Sequence, residues 1–497
     1  MCDKTGPNAA KIGQERALCV RERPLRLAAA DDRGRPSTGT QAPRRAFLRQ
    51  SLSVLGAATL ATTLEMFLGR SVVGHPPVVP GYGPLRPMKD ETTGLELLQL
   101  AEGFRYLSHG WTGDEMDGTA TTPGGHDGMA VIASDQNGVT LCRNHELESW
   151  HKPFGNDAIR YDARGGGGCS NLRFDTITGR WVKAWPSLAG TVRNCAGGPT
   201  PWGTWLSCEE TILGPGDLDR GKDRGYEQTH GWVFEVGVEE ARPMPLKDMG
   251  RFVHEAVAVD PATGYVYETE DRATAGCYRF VPNERDKLSS GGRLEMLKAV
   301  GAPDLRAGSR VGQVYDVSWV RIDEPERVRT PGTTDDLGVF SQGKARGATT
   351  FARLEGCWFG NGFVYLNSTN GGERKLGQVW QYDPQNERLK LIFESPSRNV
   401  LDSPDNIAVS PRGALVLCED GRRVPTRLHG MTPDGYIFPL AANNIVLNGE
   451  RNGFRGDYRS KEWCGATFSP DGRWLFVNIQ TPGITFAITG PWGEGLV

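Results

Sequence analysis

One layout recurs along this chain and limits what it can fold into. Segments beginning at Cys195 (CAGGPTPWGTWLSCEE), Glu255 (EAVAVDPATGYVYETED), Glu355 (EGCWFGNGFVYLNSTN), Asp405 (DNIAVSPRGALVLCED) and Cys464 (CGATFSPDGRWLFVNI) each reach a turn glycine, then run into an apolar strand. A looser copy runs from Asp127 through DQNG to Glu146. Strand, Pro/Gly turn, strand is a β-hairpin, because the turn residues supply the backbone angles a reversal needs. A second kind of hairpin lies between these, as in NLRFDTITGRWVKAW and QVWQYDPQNERLKLIFE. Two hairpins in series make a four-stranded blade, and about six such units predict an all-β fold, a six-bladed β-propeller with long inter-blade loops. The composition agrees: 65 Gly and 32 Pro in 497 residues, with no collagen period, mean many turns.

An antiparallel hairpin returns its last residues to the edge where its first ones began. Cys195 therefore meets Glu209 and Glu210, and Glu255 meets Glu270 and Asp271. Glu355 meets Asn367 and Asn370, and Asp405 with Asn406 meets Glu419 and Asp420. With these hairpins innermost, the groups converge on one mouth of the central channel. Carboxylates crowded in this way raise one another's pKa unless cations neutralise them, so a metal site is expected. Oxygen ligands suit calcium or magnesium, whereas the thiolate of Cys195 calls for a softer ion such as iron or zinc. The eight histidines form no cluster, and no HExxH or EF-hand loop occurs. His145 and His254 precede Glu146 and Glu255, so strand alternation turns them between blades.

Residues 1–74 read as a leader to be removed, and 75–497 as a single propeller domain. Arg44 and Arg45, followed by Phe47, Leu48, Arg49 and the apolar stretch Ser51–Gly69, have the form of a twin-arginine export signal. Passage through the twin-arginine machinery, a periplasmic or secreted location and no stable membrane insertion are expected. A net charge of −3 offers no basic field for nucleic acid. The wide spacing of the cysteines names no disulfide, and a monomer acting on small molecules is expected.

The strings RNHE (143–146), GGGGCSNLRFD (165–175), NCAGGPTPWGTWLSCEE (194–210), GRFVHEAVAVDPATGYVYETEDR (250–272), GATTFARLEG (347–356) and SPDNIAVSPRGALVLCEDG (403–421) resemble the PhoX family of alkaline phosphatases. The likeness spreads over roughly residues 95–480. It implies a six-bladed propeller that hydrolyses small-molecule phosphate monoesters with ferric iron and calcium at the channel mouth. By that likeness Cys195 is a thiolate ligand of iron, and Glu146, Glu210, Glu255 and Glu355 are carboxylate ligands. Arg353 clamps the phosphate with its planar fork. Arg353, Cys195 and Glu355 are the expected catalytic set, and Asn194, beside Cys195, is expected at the substrate. The rim acids Glu209, Glu270, Asp271, Asp405, Glu419 and Asp420 complete the candidate metal ligands. Leu354 stands where Pro is expected between the Arg and the Glu.

The chemistry is coherent on the residues alone. Phosphoryl transfer needs positioning and charge neutralisation, so adjacent cations that bind the ester oxygens and activate a nucleophile suffice. No Gly-x-Ser-x-Gly elbow is present, and the run Gly165–Gly168 lacks the Lys-Ser/Thr ending of a P-loop. Two other classes fit the same scaffold: a calcium-dependent lactonase, which has no use for Cys195 or Arg353, and a non-catalytic metal-binding propeller.

Overall fold

The computed structural model describes residues 81–497, apart from 118–119, 240, 434 and 494–495. The twin-arginine motif and its apolar stretch lie outside the described residues. Six four-stranded antiparallel blades follow one another along the chain. Blade 1 is His126–Asp135, Gly138–His145, Gly167–Asp175 and Arg180–Thr191. Blade 2 is Asn194–Pro199, Trp205–Glu209, Val233–Val236 and Ala241–Pro245. Blade 3 is His254–Val259, Val266–Glu270, Cys277–Pro282 and Gly292–Ala299. Blade 4 is Leu354–Gly360, Phe363–Ser368, Gln378–Asp383 and Arg388–Glu394. Blade 5 is Pro404–Val409, Leu415–Glu419, Arg427–Met431 and Ile437–Asn443. Blade 6 takes Trp463–Phe468, Leu475–Ile479 and Ile484–Thr489 from the end of the chain, and its outer strand, Arg105–His109, from before blade 1. That pairing closes the ring by joining the two ends of the propeller.

The first strand of each blade is innermost, and each packs against the first strands of its two neighbours. Every one of these strands has a register break against its partner just after its start: after His126, Asn194, His254, Leu354, Pro404 and Cys464. A bulge leaves backbone groups without a ladder partner, and buried carbonyls must find donors elsewhere. Side chains from a neighbouring blade supply them. Asn144 Nδ2 donates to Ala196 O (2.7 Å), Thr269 Oγ1 to Glu355 O (2.6 Å), Asn367 Nδ2 to Asp405 O (2.6 Å) and Asn478 Nδ2 to Asp127 O (2.6 Å). Close approach at the axis also needs small residues. A Cβ on Gly356 would lie 2.4 Å from Asp405 O, and one on Gly465 would lie 2.5 Å from Asp127 O.

The core lies between blades rather than along the axis. Trp205, Trp380, Trp463, Tyr267 and Tyr382 are each buried in these apolar layers. Burying one such side chain stabilises by about 1.5–3 kcal/mol. Two elaborations lie outside the repeat. Arg86–Met88 and Leu98–Leu100 extend blade 5 outward. Val314–Arg321 pairs with the outer strands of both blade 3 and blade 4, fusing them into one sheet, and the short helix Gly338–Ala345 follows it. Among the described residues no helix is long and apolar enough to cross a membrane.

Candidate metal centre

The bulges aim side chains at the channel mouth. The second residue of the innermost strand is Asp127, Cys195, Glu255, Glu355, Asp405 and Cys464 in blades 1 to 6: four acids and two thiols, all at one register position. The residue just past the end of the second strand is Glu146, Glu210, Asp271, Thr369, Asp420 and Gln480. Glu462, one residue ahead of Trp463, joins them. Three constellations hold their potential ligand atoms within 4.8 Å of one another: Cys195 with Glu210 and Glu255, Asp127 with Glu146 and Glu462, and Asp405 with Asp420 and Glu462. Asp271 and Glu355 bridge the rest, since the charges of both reach Glu255 and Asp405.

The electrostatics of this crowd are severe. Burial first, and then the neighbouring carboxylates, push Asp127, Glu210, Glu255, Glu355 and Glu462 well above the carboxylate range. Glu146 and Asp405 rise to about 7 from the same causes, moderated at Glu146 by Arg193 and at Asp405 by Asn406 and Arg353. Burial and the charges of Glu255 and Glu210 likewise hold the Cys195 thiol up, and it donates weakly to His254 O at 3.4 Å. Of the buried Glu355 oxygens, Oε1 meets the Arg353 guanidinium and Oε2 has no hydrogen-bond donor. A buried oxygen without a donor among mutually repelling acids is a donor set for cations. The set mixes many hard oxygens with one thiol whose sulfur lies within 4.8 Å of two carboxylates.

Arg353 is the cation set into this cluster. Its Nε and Nη2 lie 2.8 and 3.0 Å from the two oxygens of Asp271, and Nη2 also pairs with Glu355. The backbone at Arg353 is left-handed, with φ 44°, a conformation that costs a non-glycine residue about 1 kcal/mol or more. The turn aims the guanidinium back over the acids while 34% of its side chain stays exposed. Leu354, in place of the expected Pro, is fully buried in the layer between blades 3 and 4.

Four residues expected at the site point elsewhere. Asn194 is buried in blade 2, donating to Ser207 Oγ at 2.9 Å and accepting from Thr191 Oγ1 at 2.5 Å, so its amide is engaged within the blade. Glu209, Glu270 and Glu419 each immediately precede a mouth residue, and alternation turns them into their own blades. Glu209 accepts from Val192 N, Gly231 N and Trp232 N, and its Oε1 takes a 2.6 Å hydrogen bond from His230 Nδ1. Glu270 accepts from Gly276 N and Tyr278 OH, and Glu419 from Arg427, His429 and Asp402 N. These acids hold the blade connections rather than facing the mouth. His145 donates to Gly124 O and His254 to Gly250 O, both facing away from the cluster. Asp127 and Glu462 are cluster members beyond the sequence-derived ligand set.

Two expectations follow from these placements. Glu419→Gln leaves Arg427 buried without its carboxylate, which costs about 3 kcal/mol or more; Glu210→Gln relieves repulsion instead. Thermal unfolding with metal analysis separates them: the first variant is destabilised with its metal content kept, the second keeps its apo-state stability and loses metal. The second expectation concerns pH. Burial pulls His230 down, but Glu209 and Asp162 (3.2 Å from Nε2) outweigh it and raise its pKa to about 9. A raised histidine stabilises fully below its unfolded value of about 6.5 and loses that contribution as pH climbs through the folded value. The urea midpoint is therefore expected to fall between about pH 6.5 and 9, and His230→Gln to flatten that part of the profile; an unchanged slope would refute the assignment.

A surface cavity of about 770 Å³ between the outer parts of blades 2 and 3 contains no cluster residue. The mouth is where the chemistry-bearing groups gather, and similarity points the same way. The alkaline phosphatase PhoX family matches residues 175–483, well over half of the chain. The chain belongs to the PhoX family of alkaline phosphatases. The matched span includes Cys195, Glu210, Glu255, Asp271, Arg353, Glu355, Asp405, Asp420 and Glu462; Asp127 and Glu146 come before it. Among solved structures, Pseudomonas fluorescens PhoX in complex with vanadate, a transition state analogue, aligns with TM-score 0.59 at 17% identity, over 82% of this chain and 98% of that one. A gluconolactonase from Xanthomonas campestris aligns with TM-score 0.35 at 13% identity, over 83% of this chain and 99% of that one. No curated protein sequence matches the chain. As a PhoX family member the chain is a phosphomonoesterase built on a β-propeller.

Proposed function

We propose that this PhoX family member is an exported phosphatase whose activity depends on ferric iron and calcium held at the channel mouth. The observation that carries the reading is that all six blades deliver acids or a thiol to one pocket, where they are raised far above their ordinary pKa values. Cys195, with Glu210 and Glu255, would hold the iron. Asp127, Glu146, Asp405, Asp420 and Glu462, with Asp271 and Glu355, would hold calcium. When bound, such cations neutralise charge on the phosphoryl group and supply an activated water.

The protein's own residues do the rest. Arg353 keeps Nη1 clear of Asp271 and Glu355 and offers its N–H groups to the phosphoryl oxygens, which orients the ester and stabilises charge growing on the equatorial oxygens. Asp271 fixes the plane of that guanidinium, so little reorganisation accompanies binding. The buried floor of the pocket excludes bulk water from one side, which strengthens each of these interactions. Turnover of p-nitrophenyl phosphate, measured with and without a chelator and with iron and calcium restored singly and together, tests the proposal. Activity is expected only with both metals present and to be inhibited by vanadate, the ligand of the Pseudomonas fluorescens structure. Lactone opening with calcium alone, and no ester hydrolysis, would overturn it.

A further inference from the structure

A second cavity opens beside the cluster, of about 540 Å³, and its inner wall includes Glu210 and Asp271. Asp271 is the residue bonded to Arg353, so this space adjoins the anchor of that guanidinium. Three Arg–Asp pairs line it. Arg329 lies 3.0 Å from Asp217, Arg272 pairs with Asp336, and Arg193, held at 2.7 Å by Glu148, reaches Asp219 at 3.5 Å. They come from blade 2 loops, the end of the blade 3 hairpin and the insertion before blade 4. The Nε of Arg272 is buried with no partner, a donor left unspent. No aromatic side chain lines the cavity among the described residues.

We infer that this cavity receives the alcohol part of the substrate, and that the alcohol is a polyhydroxylated one such as a sugar or glycerol. The inference rests on the phosphatase reading above. Each Arg–Asp pair presents donors and acceptors side by side, which matches a vicinal diol, whose hydroxyls both give and accept. A nucleobase finds no ring to stack on here, and a second phosphate meets arginines already neutralised by aspartates, with further acids behind them. Hydrolysis breaks the P–O bond to the alcohol; water supplies the hydroxyl that phosphorus gains and the proton the alcohol needs, and the polyol leaves through this cavity.

Steady-state kinetics on the metal-loaded protein test it, with glycerol 3-phosphate and glucose 6-phosphate against p-nitrophenyl phosphate. Arg329 is half-exposed on a loop, which makes Arg329→Gln and Asp217→Asn mild to the fold. Each is expected to lower kcat/KM for the two polyol phosphates by about tenfold, the size of one lost charge-assisted hydrogen bond. The effect falls mainly on KM, while p-nitrophenyl phosphate changes by less than about twofold. Equal changes for all three substrates, or none, would overturn the inference and leave the phosphatase reading intact. Absence of turnover on every ester by the unsubstituted protein would instead sink that reading.

Discussion

Cys195→Ala is expected to yield a folded protein that has lost its iron and at least about a thousandfold of its phosphatase kcat, since several kcal/mol of metal assistance translate into three decades of rate. Among the described residues, Cys195 is the one thiol within 4.8 Å of two cluster carboxylates. Its removal leaves an all-oxygen set, which calcium accepts and which holds iron less selectively. Calcium content should fall far less. Cys357→Ala provides the control: that thiol is buried in the layer between blades 3 and 4, with its Sγ 3.8 Å from Tyr267 O, and its loss should cost stability alone. Iron retained at full stoichiometry in Cys195→Ala would remove the thiolate from the site.

Arg353→Ala should behave in the opposite way. Metal content is expected to be kept, because removing a cation from a crowd of acids makes cations there more welcome. Activity should nevertheless fall by about 10²–10³ in kcat/KM, the usual effect of deleting one donor to a developing oxyanion. Vanadate inhibition should weaken alongside it. Arg353→Lys is expected to recover only part of the loss, since an ammonium cannot hold Asp271 with two parallel bonds and still present a further nitrogen to phosphate. Unimpaired vanadate binding in Arg353→Ala would make the guanidinium a structural partner of Asp271 and Glu355 only.

Much of this was legible in the sequence because the repeat is local. Each hairpin from Cys195, Glu255, Glu355, Asp405 and Cys464 carries its own turn, so strands and blade order follow from a stretch of a few dozen residues. The closing strand Arg105–His109 was not legible: its partner Ile484–Thr489 lies at the other end of the chain, and nothing local marks the pairing. The same holds for Val314–Arg321, which fuses two blades outside the repeat.

In the site, pairs of adjacent acids were the difficulty. Glu209-Glu210, Glu270-Asp271 and Glu419-Asp420 all reach the rim, but only one of each pair can face the mouth. Strand parity chooses: it turns His145 and His254 away from the cluster, and by the same parity only the second acid of each pair faces the mouth. The residues just before Glu209, Glu270 and Glu419 hold no clear polarity pattern: they are Cys208, Thr269 and Cys418. Asp127 was visible only as the start of the loosest repeat. Glu462 occupies a position filled elsewhere by Arg193, Val253, Arg353 and Ser403, so no comparison among blades could single it out.

The most direct test is elemental analysis of the purified, correctly folded protein by mass spectrometry, before and after chelation, with p-nitrophenyl phosphate turnover followed on the same samples. Iron and calcium should co-purify with the chain, and stripping them should abolish turnover until both are restored. A metal-free protein that hydrolyses the ester at the full rate would contradict the claim that bound cations make this cluster of acids tolerable and active.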